Sequence, residues 1–219
     1  NGGTIQVVQA ANDDADIILA GLLEVKDGAI IVGNIANNIN NDIEYSGAGY
    51  PSIEVRGGSL FVNGQIRRSM INGLGSLVYR QSGSSIVTVN GRNGQPTRAK
   101  LEVVNEGSIF NMSAGTITIV RGGSTTYNDF YIRPESSSVT GGTVIFGNSS
   151  TESSGVNNLT LDSTFPLNNI TIDGTTNAKT LTLAVNPLIL KGNLVINGSS
   201  SFRADSLTVS IAGSLTNLN

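Results

Sequence analysis

From Asn158 to Asn219 one short unit keeps returning: Leu159-Thr160-Leu161, Ile170-Thr171-Ile172, Leu181-Thr182-Leu183, Leu194-Val195-Ile196 and Leu207-Thr208-Val209. Their first residues are spaced 11, 11, 13 and 13, and a further apolar triplet, Leu188-Ile189-Leu190, falls between the third and fourth units. Apolar-polar-apolar is the two-residue period of a β-strand, whose alternate side chains point to opposite faces. Each unit therefore turns two apolar side chains inward and one, usually β-branched Thr, outward, where it suits an exposed pleat. Asn, Gly, Ser or Asp sits around almost every unit, as turns require.

A second form of the repeat occupies the middle of the chain, where Gly-Ser or Gly-Thr launches an apolar strand at Gly58, Gly75, Gly107, Gly115 and Gly142. The intervals are 17, 32, 8 and 27 residues, which implies loops of variable length. Nearer the start, Thr4 to Val8 and Ala29 to Val32 read as strands. Ile17 to Val25 could pass for a helix, but Gly21 interrupts it and no basic last turn closes it.

Three β architectures compete for such a pattern. A sandwich predicts clean alternation over five to eight residues and no preferred Gly-Ser start. A propeller predicts aromatic signatures at a longer period. A parallel solenoid predicts short strands with a turn residue at every corner, and it fits best. The expected fold is all-β, a single-stranded parallel β-helix (β-solenoid) of about ten coils of roughly 20–25 residues. Residues 1–157 form its coils with variable loops and 158–219 its regular coils, in one continuous solenoid. Corner asparagines are expected to stack from coil to coil, and Pro187 is expected at a corner. Both ends look cut, so the chain reads as a piece of a longer polypeptide.

Composition bounds the chemistry. Gly, Asn, Ser and Thr number 27, 25, 25 and 19 among 219 residues, while Asp, Glu, Lys and Arg make up only 13%. A surface of hydroxyls and amides in place of charges suggests an exported protein. Cys and His are both absent, which removes disulfides, thiolate and imidazole metal ligands, and the commonest general base. No apolar run approaches the roughly 20 residues that span a bilayer as a helix, and a pI near 4.9 argues against nucleic acid.

Few residues invite a site. Asp13, Asp14 and Asp16 form the densest carboxylate cluster and are the weak candidates for a metal, though they lack the spacing of a calcium loop. The 16 acids do not recur one coil apart in an obvious way, so no catalytic pair is expected and no cofactor either. Residues 1–54 hold eight acids and one base, whereas 55–133 hold nine bases and three acids. Arg56, Arg67, Arg68, Arg80, Arg92, Arg98 and Lys100 would then either form a basic stripe for an anionic glycan or face the acids of the preceding segment across the stack. The second arrangement is the expected one.

The strings Asn158-Leu159-Thr160-Leu161-Asp162, Asn169-Ile170-Thr171-Ile172-Asp173-Gly174 and Leu188 through Gly198 resemble the repeat regions of large Bacteroidetes cell-surface adhesins of the gliding type, exported by the type IX secretion system. About a third of the chain carries the resemblance well. It implies a secreted, non-enzymatic β-helical stalk whose partners are extracellular surfaces or glycans, and also the secretion machinery that carries the chain as export cargo. In that phylum Asp-Ser/Thr sequences can be O-glycosylated, which makes Ser163 and Ser206 the candidate acceptors. A polysaccharide-processing β-helix, such as a lyase or a phage tailspike, is the alternative.

Overall fold

The computed structural model describes residues 2–8, 15–34, 36, 40–92 and 96–218, with the backbone alone at Ala15 and Asp16. It is a parallel β-solenoid with three faces, and no described residue is helical. Face I is one sheet of nine strands: Thr4–Val7, Ala29–Val32, Ser59–Val62, Ile86–Val89, Thr116–Ile119, Thr143–Phe146, Asn169–Asp173, Leu194–Asn197 and Leu215–Leu218. Every ladder in it is parallel and in register. This sheet runs through both the irregular and the regular parts of the chain without a break.

Faces II and III share the eleven-stranded sheet. Face II begins with Ala15–Leu19, Asp42–Tyr45 and Ile66–Arg68, and face III with Leu22–Val25, Ser52–Val55 and Val78–Gln81. In the next two coils, Leu101–Met112 and Phe130–Val139 each cover both faces, turning at an irregularity between Asn105 and Ile109. Face II continues through Asn158–Ser163, Thr180–Leu183 and Ser201–Arg203. Face III ends as a separate pair, Leu188–Leu190 and Val209–Ile211, with Leu167 bridged to Leu190. Ile17 to Val25 is thus not a helix but two strands on different faces, separated by a corner at Ala20 and Gly21.

Coils are fewer and longer than the triplets suggest. Ala29 pairs with Ser59, thirty residues on, and Ser59 with Ile86, twenty-seven on. Only near the end do coils tighten, where Leu194 pairs with Leu215 after twenty-one residues. Nine strands at ~4.8 Å per step give face I a length of roughly 40 Å. The triplet spacing of 11 is a half-coil: Leu159 and Leu181 stack on face II, whereas Ile170 and Leu194 stack on face I. The Gly-Ser/Thr starts likewise form two interleaved series. Gly58, Gly115 and Gly142 precede face I strands, whereas Gly75 and Gly107 precede those of face III.

The interior is built from columns of like residues. Ile30, Leu60, Val87, Ile117, Val144, Ile170 and Leu194 stack in register and are buried along face I. Each such side chain contributes about 1.5–3 kcal/mol on full burial. At mid-rod an aromatic run crosses all three faces. Tyr79 stacks on Phe110 at 5.2 Å between ring centroids, Phe110 meets Phe130 edge-on at 6.2 Å, and Phe130 meets Phe146 at 6.0 Å.

Corners decide how closely coils approach. At the entrance to face I, Gly58 has φ +63, and a Cβ there would lie 2.3 Å from the Gly28 carbonyl oxygen. Only glycine fits both the left-handed backbone and the contact. Asparagines form ladders at two sets of corners, as expected. Asn63 Nδ2 donates to the Asn34 carbonyl at 3.3 Å, Asn90 Nδ2 donates to Asn63 Oδ1, and Arg121 caps this ladder on Asn90 Oδ1. A second ladder runs from Asn169 Oδ1 to the Asn193 amide and from Asn193 Oδ1 to the Ser214 amide, both at 2.8 Å. Pro187 lies at the corner just before Leu188–Leu190.

Candidate functional site: charged faces and open clefts

Because strand neighbours come from successive coils, outward side chains at one register position meet across the stack. On face III, Glu24 registers with Glu54 and Glu54 with Arg80. Arg56 reaches Glu24 at 3.3 Å and Glu54 at 2.5 Å, and Arg80 Nη1 reaches Glu54 at 3.0 Å. The Arg56 hydrogen bond is the largest cause that holds the Glu54 carboxyl below its usual range. Stacked acids one coil apart therefore do exist, contrary to the expectation from sequence. Their spacing of thirty residues matches the long coil between them, and an assumed coil of 20–25 residues conceals it.

Face II carries the buried charges. Arg67 donates to Asp42 Oδ2 at 2.8 Å and lies 2.5 Å from Glu44. Arg68 and Arg98 converge on Glu102 at 3.0 and 2.9 Å. Arg133 donates to Asp162 at 2.8 Å, and Asn186 Nδ2 donates to the same carboxylate at 2.6 Å. Glu44, by contrast, sits above its ordinary range because burial outweighs the nearby Arg67. Loops cover this region: Tyr127 donates to the Ile71 carbonyl and to Asn72 Oδ1, both at 3.2 Å, with Arg68 stacked 5.5 Å from its ring centroid. Tyr131 lies 5.2 Å from Tyr127 and takes Arg133 over its face at 5.1 Å.

The seven basic residues read from the sequence are consequently not a free stripe. Arg56, Arg67 and Arg80 pair with acids of residues 1–54, as expected. Arg68 and Arg98 instead share Glu102, and Arg92 lies 3.4 Å from Glu152. Lys100 alone among the seven has no ion pair among the described residues.

The other residues singled out from the sequence are scattered. Asp13 and Asp14 lie outside the described residues, and of Asp16 only the backbone is described, in the strand Ala15–Leu19. Among the described residues no three acids come together in a way that could hold a metal ion. Ser163 is buried, and its hydroxyl donates to the Phe165 carbonyl at 2.8 Å. Ser206 is exposed in a turn with φ +72. Of the two hydroxyls considered for glycosylation, Ser206 is the one on the surface.

Open clefts lie along the faces and corners, among them the three that follow. One of about 250 Å³ follows the face III column through Glu54, Arg80, Asn111 and Ser138. Another of about 430 Å³ lies at the corner between faces II and III, where Glu106 and Glu135 of successive coils share a rim with Leu74 and Asn105. Glu135 Oε2 accepts the Gly107 amide at 2.7 Å. The third, about 420 Å³, lies between successive corner loops leading into face II. The carboxylate pair escapes a linear reading because its members lie a long coil apart in two strands that turn between faces, and the third cleft because its residues come from separate corner loops.

No protein-family model matches the chain, and neither a curated protein nor a solved structure matches it.

Proposed function

We propose that the chain is a non-enzymatic structural and adhesive segment of a secreted bacterial cell-surface adhesin, a rod that attaches to surfaces or polysaccharides. The observation that carries this reading is the outer side of face I. Across its first six strands the outward positions hold Thr, Gln, Ala, Ser, Ile and Phe and not one charged side chain. Ile31, Phe61, Thr88 and Ile145 are half-buried along one column, and Ile86 exposes half its surface beside it. An extended, uncharged face that mixes methyl groups with hydroxyls suits a neutral glycan, whose rings offer both C–H surfaces and hydroxyls. The low charge, the amide-rich corners and the absence of Cys and His support an exported origin, and the type IX route rests on the resemblance of the repeat strings alone.

Sedimentation with insoluble neutral polysaccharides tests the reading. The chain should pellet with at least one of them, and Thr88→Lys combined with Thr171→Lys should abolish pelleting while the fold persists. Failure to pellet with every member of the panel, or equal pelleting of the lysine variant, overturns it.

One observation favours a second reading. Glu106 and Glu135 bring two carboxylates to one open cleft, which is the minimum that glycoside hydrolysis demands. Release of reducing ends from a glycan panel, lost in both Glu106→Gln and Glu135→Gln, would replace the adhesive reading with a polysaccharide-processing one.

A further inference from the structure

Lys100, like Lys179, is a lysine buried against a left-handed glycine. It exposes 4% of its surface, and its side chain makes no hydrogen bond or ion pair with any described residue. Buried ammonium groups are ordinarily paired, because taking a charge out of water is costly. Its stem runs across Gly91, where a Cβ would come within 2.8 Å of Lys100 Cδ. Gly91 has φ +68 and so combines a left-handed turn with the room that the lysine needs. Both residues line the 420 Å³ cleft, a volume within the range of small-ligand sites.

The opposite wall is already neutralised. Arg121 donates to Glu152 through Nε at 2.7 Å and Nη2 at 2.8 Å and is tied as well to the Ser150 carbonyl. Arg92 and Arg121 are thus paired with Glu152, and Lys100 is the cationic lining residue with no ion pair to any described residue. Behind Lys100, Asp129 and Asp42 favour its charged form, while burial lowers its proton affinity below that of an ordinary lysine. Asp129 accepts hydrogen bonds from the Ser124 amide and from Thr160 and stands as an opposite charge behind Lys100. An ammonium is a point charge that pairs with carboxylate or phosphate alike, so the choice between them falls to the charge of the opposite wall. Glu152 across the cleft disfavours a ligand of higher negative charge.

We infer that this cleft is a subsite for a single carboxylate on a sugar ring, a uronic-acid unit of an acidic polysaccharide, with Lys100 as its counter-ion and the backbone of Gly91, Gly122 and Gly123 as its floor. The site lies at a loop corner away from the outer side of face I, so it stands or falls independently of the neutral-glycan reading.

The test is an amide chemical-shift titration of the chain with galacturonic-acid oligosaccharides, with a neutral oligosaccharide, acetate and inorganic phosphate as comparison ligands. The uronate oligomers should shift the Gly91, Gly122 and Gly123 amides saturably, and the neutral oligomer should not. Lys100→Gln, checked for an unchanged amide spectrum elsewhere, should weaken uronate binding at least tenfold. Absence of a saturable shift in the unsubstituted chain overturns the inference, and that readout needs no variant to fold. Equal affinity for acetate or phosphate, or undiminished binding by folded Lys100→Gln, overturns it as well.

Discussion

Glu102 accepts two hydrogen bonds from Arg98, at 3.0 Å from Nε and 2.9 Å from Nη2, although Glu102 is fully buried and Arg98 exposes only 3% of its surface. Arg68 adds its own Nε at 3.0 Å. Burial by itself would raise the Glu102 carboxyl, but the Arg98 hydrogen bond and the two guanidinium charges outweigh it and hold the group below its ordinary range. A depressed folded value stabilises the protein above the unfolded carboxyl value, about 4.3, and that contribution disappears as pH falls through the folded value. Glu44 and Asp129, raised chiefly by burial, act in the opposite sense, so the total acid profile mixes signs. The difference between the protein and Glu102→Gln isolates this one carboxyl. At pH 7 the variant should lose about 3–5 kcal/mol, since two buried guanidinium groups are left uncompensated. By pH 3 the gap should shrink, as denaturant melts at the two pH values would measure.

How much of this was legible beforehand depends on what each residue's neighbours are. The Leu159 and Ile170 triplets announce strands because both their inward side chains are apolar, and parallel stacking follows from repetition. Ser201-Phe202-Arg203 does not announce itself, yet Phe202 pairs with Leu181 in the face II ladder. One large inward side chain suffices there, and the triplet pattern passes over it. The expected coil of 20–25 residues holds in the regular final part, where Ile170 pairs with Leu194 and Leu194 with Leu215, but the longer corner loops of the first half stretch coils to as many as thirty residues, as from Ala29 to Ser59. The charge pairing between residues 1–54 and 55–133 was visible as a compositional imbalance. The burial of Glu102 and Lys100 was not, since it comes from the loops that hold Gly91, Tyr127 and Asn72 over face II.

Two glycines separate backbone requirement from mere permissiveness. Gly58→Ala places a Cβ 2.3 Å from the Gly28 carbonyl oxygen at a left-handed φ, so the coil must spread or the turn must change. A loss of about 1–3 kcal/mol or more is expected. At Gly21 a Cβ meets nothing within 4 Å and φ is not left-handed. Gly21→Ala should therefore be neutral or stabilise by about 0.4–1 kcal/mol through the unfolded chain. Thermal melts of the two variants should move in opposite directions or differ by several degrees.

The corner ladder of Asn34, Asn63, Asn90 and Arg121 makes a prediction about locality. Asn90→Ala removes the donor to Asn63 Oδ1 and the acceptor of Arg121 Nη1 at a buried position. Leaving such partners unsatisfied costs about 1–3 kcal/mol. Asn193→Ala cuts a ladder of the same kind whose middle asparagine is exposed, and water can replace its bonds. Its cost should be nearer 0.5 kcal/mol. Hydrogen exchange should accelerate at Asn90, Gly91 and Arg92 in the first variant and stay almost unchanged around Asn193 in the second.

The aromatic run is where the solenoid departs from a simple stack of aliphatic rungs, and it makes the mid-rod coils dependent on one another. Phe110 touches Tyr79 from the coil before and Phe130 from the coil after, so one ring serves two coil-to-coil interfaces. Phe110→Ala should cost about 3–5 kcal/mol, because the cavity opens between closed ladders that have little freedom to collapse. Within that loss, the stacked pair itself should account for about 0.5–1.5 kcal/mol, recoverable from a double-mutant cycle of Tyr79→Leu with Phe110→Leu. A solenoid's stability is close to a sum of repeat and nearest-neighbour terms. Weakening both interfaces of one coil should therefore split the melt into two transitions, one for the coils on either side. A single cooperative transition at lower temperature would instead mean that the face I sheet, unbroken from Thr4 to Leu218, couples the two halves without help from Phe110.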